Sequence, residues 1–142
     1  MWLEARQAIL DSSEKSSVYI GCDSRRIPSK KKALFSTVIV LHLDSSRGCK
    51  LFHNQTSLPD YGNLRTRLLA EVQLAIEAFS AVEDVIGNRK VEVHLDVNPD
   101  PKHGSNVVTA EALGWVRSMG INAMIKPNSF AASTAADHLV KR

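Results

Sequence analysis

Hydrophobic and polar positions change period several times along this chain, and each change marks an element. Trp2, Leu3, Ala5, Ile9 and Leu10 are spaced for one face of a short helix over Met1 to Leu10, which stops in the polar segment Asp11 to Ser17. From Ser17 to Ser24 the period falls to two, with Val18, Ile20 and Cys22 alternating with Tyr19, Gly21 and Asp23. That alternation predicts a strand with Asp23 at its carboxyl end, on the face opposite the apolar stripe. Leu34 to Leu43 is rich in β-branched residues and predicts a long second strand. The turn-forming run Asp44-Ser45-Ser46-Arg47-Gly48 leads into a returning strand over Cys49 to His53, so an antiparallel meander opens the domain.

The period lengthens from Leu58 to Ser80, where Leu64, Leu68, Val72, Ala75, Ile76 and Phe79 form a helical stripe. Glu71 is one turn from both Leu68 and Ala75 and shares a flank of that packed face, whereas Glu77 faces water. Lys90 to Val97 returns to alternation, with Val91, Val93, Leu95 and Val97 set against Glu92, His94 and Asp96, so Asp96 ends its strand as Asp23 does. A rigid loop over Asn98 to Gly104 precedes a helix over Val107 to Met119, with Ser105 or Asn106 as its cap and Gly120 just past its end. Ile121 to Ile125 is a short apolar strand, and a final helix of small residues runs from Pro127 to about Val140, carrying Asp137 beside His138. The chain therefore divides into a helical extension at 1–16 and one α/β domain at 17–142.

Composition narrows the class. At 142 residues there is room for one domain with a real core and not for two ordinary ones. A hydrophobic share of 44% with 23% charged residues belongs to soluble globular proteins. The net charge of +3 is compatible with a polyanionic partner without requiring one. Arg25, Arg26, Lys30, Lys31 and Lys32, interrupted by Pro28, form a basic loop that is either a solvated connection or a phosphate-facing rim. Cys22 and Cys49 lack metal-ligand or CxxC spacing and read as buried free thiols of a reducing compartment. No apolar run approaches the length of a membrane span and no signal-peptide core is evident, so no membrane partner and a cytoplasmic location are expected.

Four acids stand where a fold can gather them: Asp23 and Asp96 at strand ends, Glu71 on the helix between, and Asp137 on the last helix. A carboxylate turned toward the sheet must be met by hydrogen bonds, a cation or a raised pKa. Clustered carboxylates repel, so such a group is stable mainly with divalent cations among them, and all-oxygen ligands favour Mg²⁺ or Mn²⁺ over zinc. Two such ions about 4 Å apart would activate a water and stabilise the leaving oxygen in phosphodiester hydrolysis. A zinc reading through His94, Asp96 and His103 leaves Asp23 and Glu71 unexplained and lacks close soft-ligand spacing.

From about Val18 to Val140 the chain resembles the ribonuclease H-like superfamily, most closely its little-characterised bacterial YkuK-type branch. The resemblance rests on Tyr-Ile-Gly-Cys-Asp-Ser at 19–24, Leu-Leu-Ala-Glu at 68–71, His-Leu-Asp-Val-Asn at 94–98, and Lys-Pro-Asn-Ser-Phe-Ala-Ala-Ser-Thr-Ala-Ala-Asp-His at 126–138. It implies a five-stranded mixed sheet in the order 3-2-1-4-5, strand 2 antiparallel, with helices on both faces. The superfamily's acids fall on Asp23, Glu71, Asp96 and Asp137, which the resemblance makes the metal ligands and catalytic residues of a nuclease. Because very different activities share this architecture, a non-catalytic nucleic-acid or protein-binding module on the same fold is the alternative.

Around those acids, His103 is a candidate proton shuttle or phosphate contact, or a simple cap. Arg25, Arg26, Lys30, Lys31 and Lys126 are the candidate contacts to nucleic acid, whether RNA, an RNA/DNA hybrid or structured DNA. So small a domain would gain from a partner subunit when gripping a long polymer, which leaves a homo-oligomer open.

Overall fold

Three antiparallel strands lead the sheet in the computed structural model, which describes residues 1–60, 62–97 and 108–125. They are β1 (Ser17–Ile27), β2 (Lys32–His42) and β3 (Cys49–Pro59), and each outruns the length its apolar pattern predicts. β1 and β2 stay in register from Ser17 opposite His42 to Ile27 opposite Lys32. The segment read as a basic loop is therefore the end of a hairpin, because ladder hydrogen bonds hold a strand whatever its side chains are. Pro28, which has no N–H to give to a ladder, begins the short 3-10 turn Pro28–Lys30, and Lys31 closes it in the left-handed region at φ 50°. β3 continues six residues past His53 through Asn54, Gln55, Thr56 and Ser57. It lies at the edge of the sheet, paired only with β2, where polar side chains are tolerated and hide a strand from a hydrophobic pattern. Cys22 is buried as expected, but Cys49, at the start of this edge strand, is exposed.

The long helix α2 (Leu64–Ile86) starts later and ends later than its predicted span. Asn63 caps it by accepting the Thr66 N–H at 3.1 Å, and the apolar stripe continues beyond Phe79 through Val82, Val85 and Ile86 to Gly87 at φ 59°. A shorter helix, α1 (Leu3–Asp11), precedes the sheet, and β4 (Lys90–His94), α3 (Thr109–Ser118) and β5 (Ala123–Met124) complete the described elements. The sheet order is β3-β2-β1-β4-β5, with β4 parallel to both β1 and β5. β4 stops at His94, three residues short of the alternation that predicted it, so Asp96 lies beyond the strand.

One hydrophobic core joins the Val18, Ile20 and Cys22 face of β1 to Ile39 of β2, Val93 of β4, and residues of α1, α2 and α3. On the opposite face Val38 and Val40 are also buried. The final helix expected over Pro127 to about Val140 lies outside the described residues. No helix among the described residues is long and apolar enough to cross a membrane.

Helix α1 is laid into the core. Trp2, Ala5 and Ile9 of α1 belong to the same cluster, Arg6 donates to the Ala81 carbonyl at 2.8 Å and pairs with Asp84, and Arg89 ties the end of α2 to the Ser12 carbonyl at 2.6 Å. Replacing Ile9, which is fully buried, with Ala is expected to lower the unfolding free energy by about 2 to 5 kcal/mol, read from the midpoint of a urea titration.

Candidate metal centre

β1 has two neighbours with different reach, and the acids gather where one of them stops. Its parallel pairing with β4 ends at Gly21 opposite His94, while its antiparallel pairing with β2 runs on. Asp23 is thus four residues from the end of β1, not at its carboxyl end, yet it lies just past the last β1–β4 pair, where the two strands part. Alternation from that pair puts Asp23 and Asp96 on the same side of the sheet. Ligand oxygens of Asp23, Glu71 and Asp96 all lie within 4.8 Å of one another. Asp23 is 7% exposed and Glu71 5%, with Asp96 half-buried.

Two residues that the sequence reading did not single out hold Glu71 in place. Ser24, on the face of β1 that meets α2, donates its hydroxyl to Glu71 Oε2 at 2.5 Å. Arg67, one turn before Glu71 on α2, donates from Nη1 to the same Ser24 oxygen at 3.0 Å. The signals were present but faint: Ser24 follows Asp23 on the opposite parity, and Arg67 sits at i−4 from Glu71. Asp23 Oδ1 accepts the Ser24 N–H at 2.9 Å, so one serine touches two of the acids.

Burial pushes the Glu71 carboxyl well above its ordinary 4.5; the charges of Asp23 and Asp96 push the same way, against the Ser24 hydrogen bond and Arg67. The adjacent Cys22 thiol is pushed up by burial and by the Glu71 and Asp23 carboxylates, which keeps it a neutral thiol. Mutual repulsion in a desolvated pocket with all-oxygen donors is the electrostatic setting that a hard divalent cation relieves, and Mg²⁺ or Mn²⁺ fits this donor set.

The other candidates are distributed differently. Arg25, Lys30 and Lys31 are exposed at the hairpin end, while Arg26 is engaged by Asp60 at 2.5 Å. His94 is buried on the sheet, 3.2 Å from Glu92 and tilted against the Tyr19 ring at 5.3 Å between centroids. Burial lowers its pKa, while Glu92 raises it less. Of the zinc reading's residues, Asp96 groups with Asp23 and Glu71, and His94 does not join them. Asp137, His103 and Lys126 lie outside the described residues.

A family model described as ribonuclease H-like matches residues 4–141. No curated protein matches the chain. Among solved structures, the crystal structure of the prototype foamy virus protease-reverse transcriptase is similar at 12% identity and a TM-score of 0.46. That match covers 89% of this chain and 20% of the other, so the chain spans about a fifth of that protein's length.

Two outcomes follow from the Glu71 environment. Its carboxyl titrates higher in the folded chain than in the unfolded one, so the metal-free protein is most stable below about pH 4.5 as far as this group is concerned. That contribution is lost as pH rises through the folded-state pKa; thermal melts of Glu71→Gln should show a flatter pH dependence than wild type. Ser24→Ala should weaken Mn²⁺ binding about tenfold in a calorimetric titration, as expected for losing a hydrogen bond to a charged ligand.

Proposed function

Because the chain belongs to the ribonuclease H-like family, we propose that it is a divalent-metal-dependent phosphodiesterase acting on nucleic acid. The single observation that carries this reading is the meeting of Asp23, Glu71 and Asp96 within 4.8 Å, although 48 and 25 residues separate them in the chain (71 − 23 and 96 − 71). Within the family, the motifs at 19–24, 68–71, 94–98 and 126–138 favour the YkuK-type branch.

Asp23 and Asp96 would be the shared ligands, and Glu71 would complete the group from α2. Asp137 is proposed as the fourth acid and His103 as the group that passes a proton to the leaving oxygen. Mg²⁺ or Mn²⁺ bound there would activate the attacking water and stabilise the leaving oxygen. The chain's own contribution is to hold the carboxylates ready. Ser24 and Arg67 fix the Glu71 rotamer, and burial by Leu68, Val72 and Leu95 around the pocket limits competing water. Arg25, Lys30 and Lys31 project from the neighbouring hairpin end, where they would attract the phosphate backbone, and Lys126 is proposed to do the same. Arg26 would have to leave Asp60 to join them.

The purified protein is expected to cleave an RNA, an RNA/DNA hybrid or a branched DNA only when Mg²⁺ or Mn²⁺ is supplied. Asp23→Asn and Asp96→Asn should each bring cleavage to background in a gel assay. Cleavage persisting in Asp23→Asn would refute this site, and a wild type that binds the panel without cutting any of it would favour the non-catalytic module.

A further inference from the structure

Between the amino-terminal half of α2 and the adjoining ends of β2 and β3 lies a cleft of about 190 Å³, lined by none of the three clustered acids. Its walls include Phe35, Leu58 and Ala70, and Asn63 and Thr66, both exposed, lie on its α2 side. Arg67 is the side chain it shares with the metal centre. From the cleft, Arg67 Nη1 reaches Ser24 Oγ at 3.0 Å, and Ser24 in turn reaches Glu71 at 2.5 Å. Two consecutive hydrogen bonds therefore separate the cleft wall from a ligand carboxylate.

We propose that this cleft seats one unpaired nucleobase of the strand whose phosphate meets the acids, a subsite that rests on the nucleic-acid reading above. Size selects the occupant: pockets for drug-sized ligands run from about 300 Å³ upward, so this one suits a single planar ring system. Chemistry selects it further. The apolar walls offer little to a phosphate, and the one cation lining the cleft, Arg67, is already directed at Ser24. Asn63 uses its side-chain oxygen on the helix cap, which leaves its amide N–H groups to donate to a base edge, and the Thr66 hydroxyl adds a donor and an acceptor. Base and phosphate of a nucleotide are covalently linked, so a phosphate held at the acids brings the bases of the same strand with it. A base within a duplex has its edge occupied, so the subsite selects a single strand, a loop or a bulge over a continuous duplex.

The experiment is fluorescence anisotropy of the full chain with labelled single-stranded oligonucleotides in Ca²⁺. One strand is intact, the second carries abasic positions, and the third is the intact strand annealed into a duplex. Removing bases should weaken wild-type binding roughly tenfold, the scale of one stacked base, and the duplex should bind more weakly than the single strand. Ala70→Phe, which fills the cleft, should weaken the intact strand similarly and leave the abasic strand unchanged. Leu74→Phe, one turn along α2 and lining the adjoining groove instead, should bind as wild type. Equal affinity of wild type for intact and abasic strands, or a duplex bound as tightly as the single strand, would overturn the subsite and leave the metal centre standing. A wild type that binds none of the three strands would sink the nucleic-acid reading and this inference with it.

Discussion

The constraint on which this structure turns is electrostatic: three carboxylates are gathered within 4.8 Å of one another, two of them buried and the third half-buried. Left alone, such a group would push itself apart or take up protons, and the raised Glu71 carboxyl is the visible sign of that tension. The fold resists dispersal with covalently distant supports. β1 fixes Asp23, the end of β4 leads directly to Asp96, and α2 presses Glu71 into the gap through Leu68, Val72 and Ala75. Holding like charges together costs stability, and the Ser24 hydrogen bond to Glu71 offsets part of that cost.

Mixed pairing explains why the pocket is there. An antiparallel hairpin on one side of β1 and a parallel neighbour on the other give the strand two different end points. Where only the parallel neighbour stops, the sheet opens into a fork, with α2 packed against one side of it. Ligands in α/β sheets collect at the carboxyl ends of parallel strands, and here that edge falls in the middle of a longer strand. The hairpin that continues past it carries cationic side chains beside the fork, so the same extension that moves Asp23 inward also supplies positive charge nearby.

Much of this was legible in the residues. The alternation of Val18, Ile20 and Cys22 against Asp23, and of Val93 and Leu95 against Asp96, put both aspartates on one side of the sheet, and the α2 stripe put Glu71 toward it. The sheet order was implied by the family resemblance. What the pattern concealed has physical reasons. The second half of β3 is polar because an edge strand is not buried on both sides, and the basic stretch of β1 is strand because β2 supplies its backbone partners. Strand ends are set by hydrogen bonding and not by side-chain parity, which is why β4 stopped short while its alternation ran on. Ser24 and Arg67 were hidden for another reason: a hydroxyl and a guanidinium acquire meaning only when two elements are brought together.

Asp23 and Ser24 are consecutive and point to opposite sides of one strand, Asp23 to the side it shares with Asp96 and Ser24 toward α2. Strand parity therefore makes β1 intolerant of length change: inserting or deleting a single residue ahead of Asp23 would exchange the two side chains and dismantle both arrangements at once. The turn at Pro28–Lys30 has no such parity to keep, since every pairing it joins is antiparallel and closes behind it. For anyone wishing to graft a tag or a fluorophore onto this scaffold, a change of length at that turn leaves the parity of Asp23 and Ser24 intact and disturbs only Lys30, Lys31 and their neighbours.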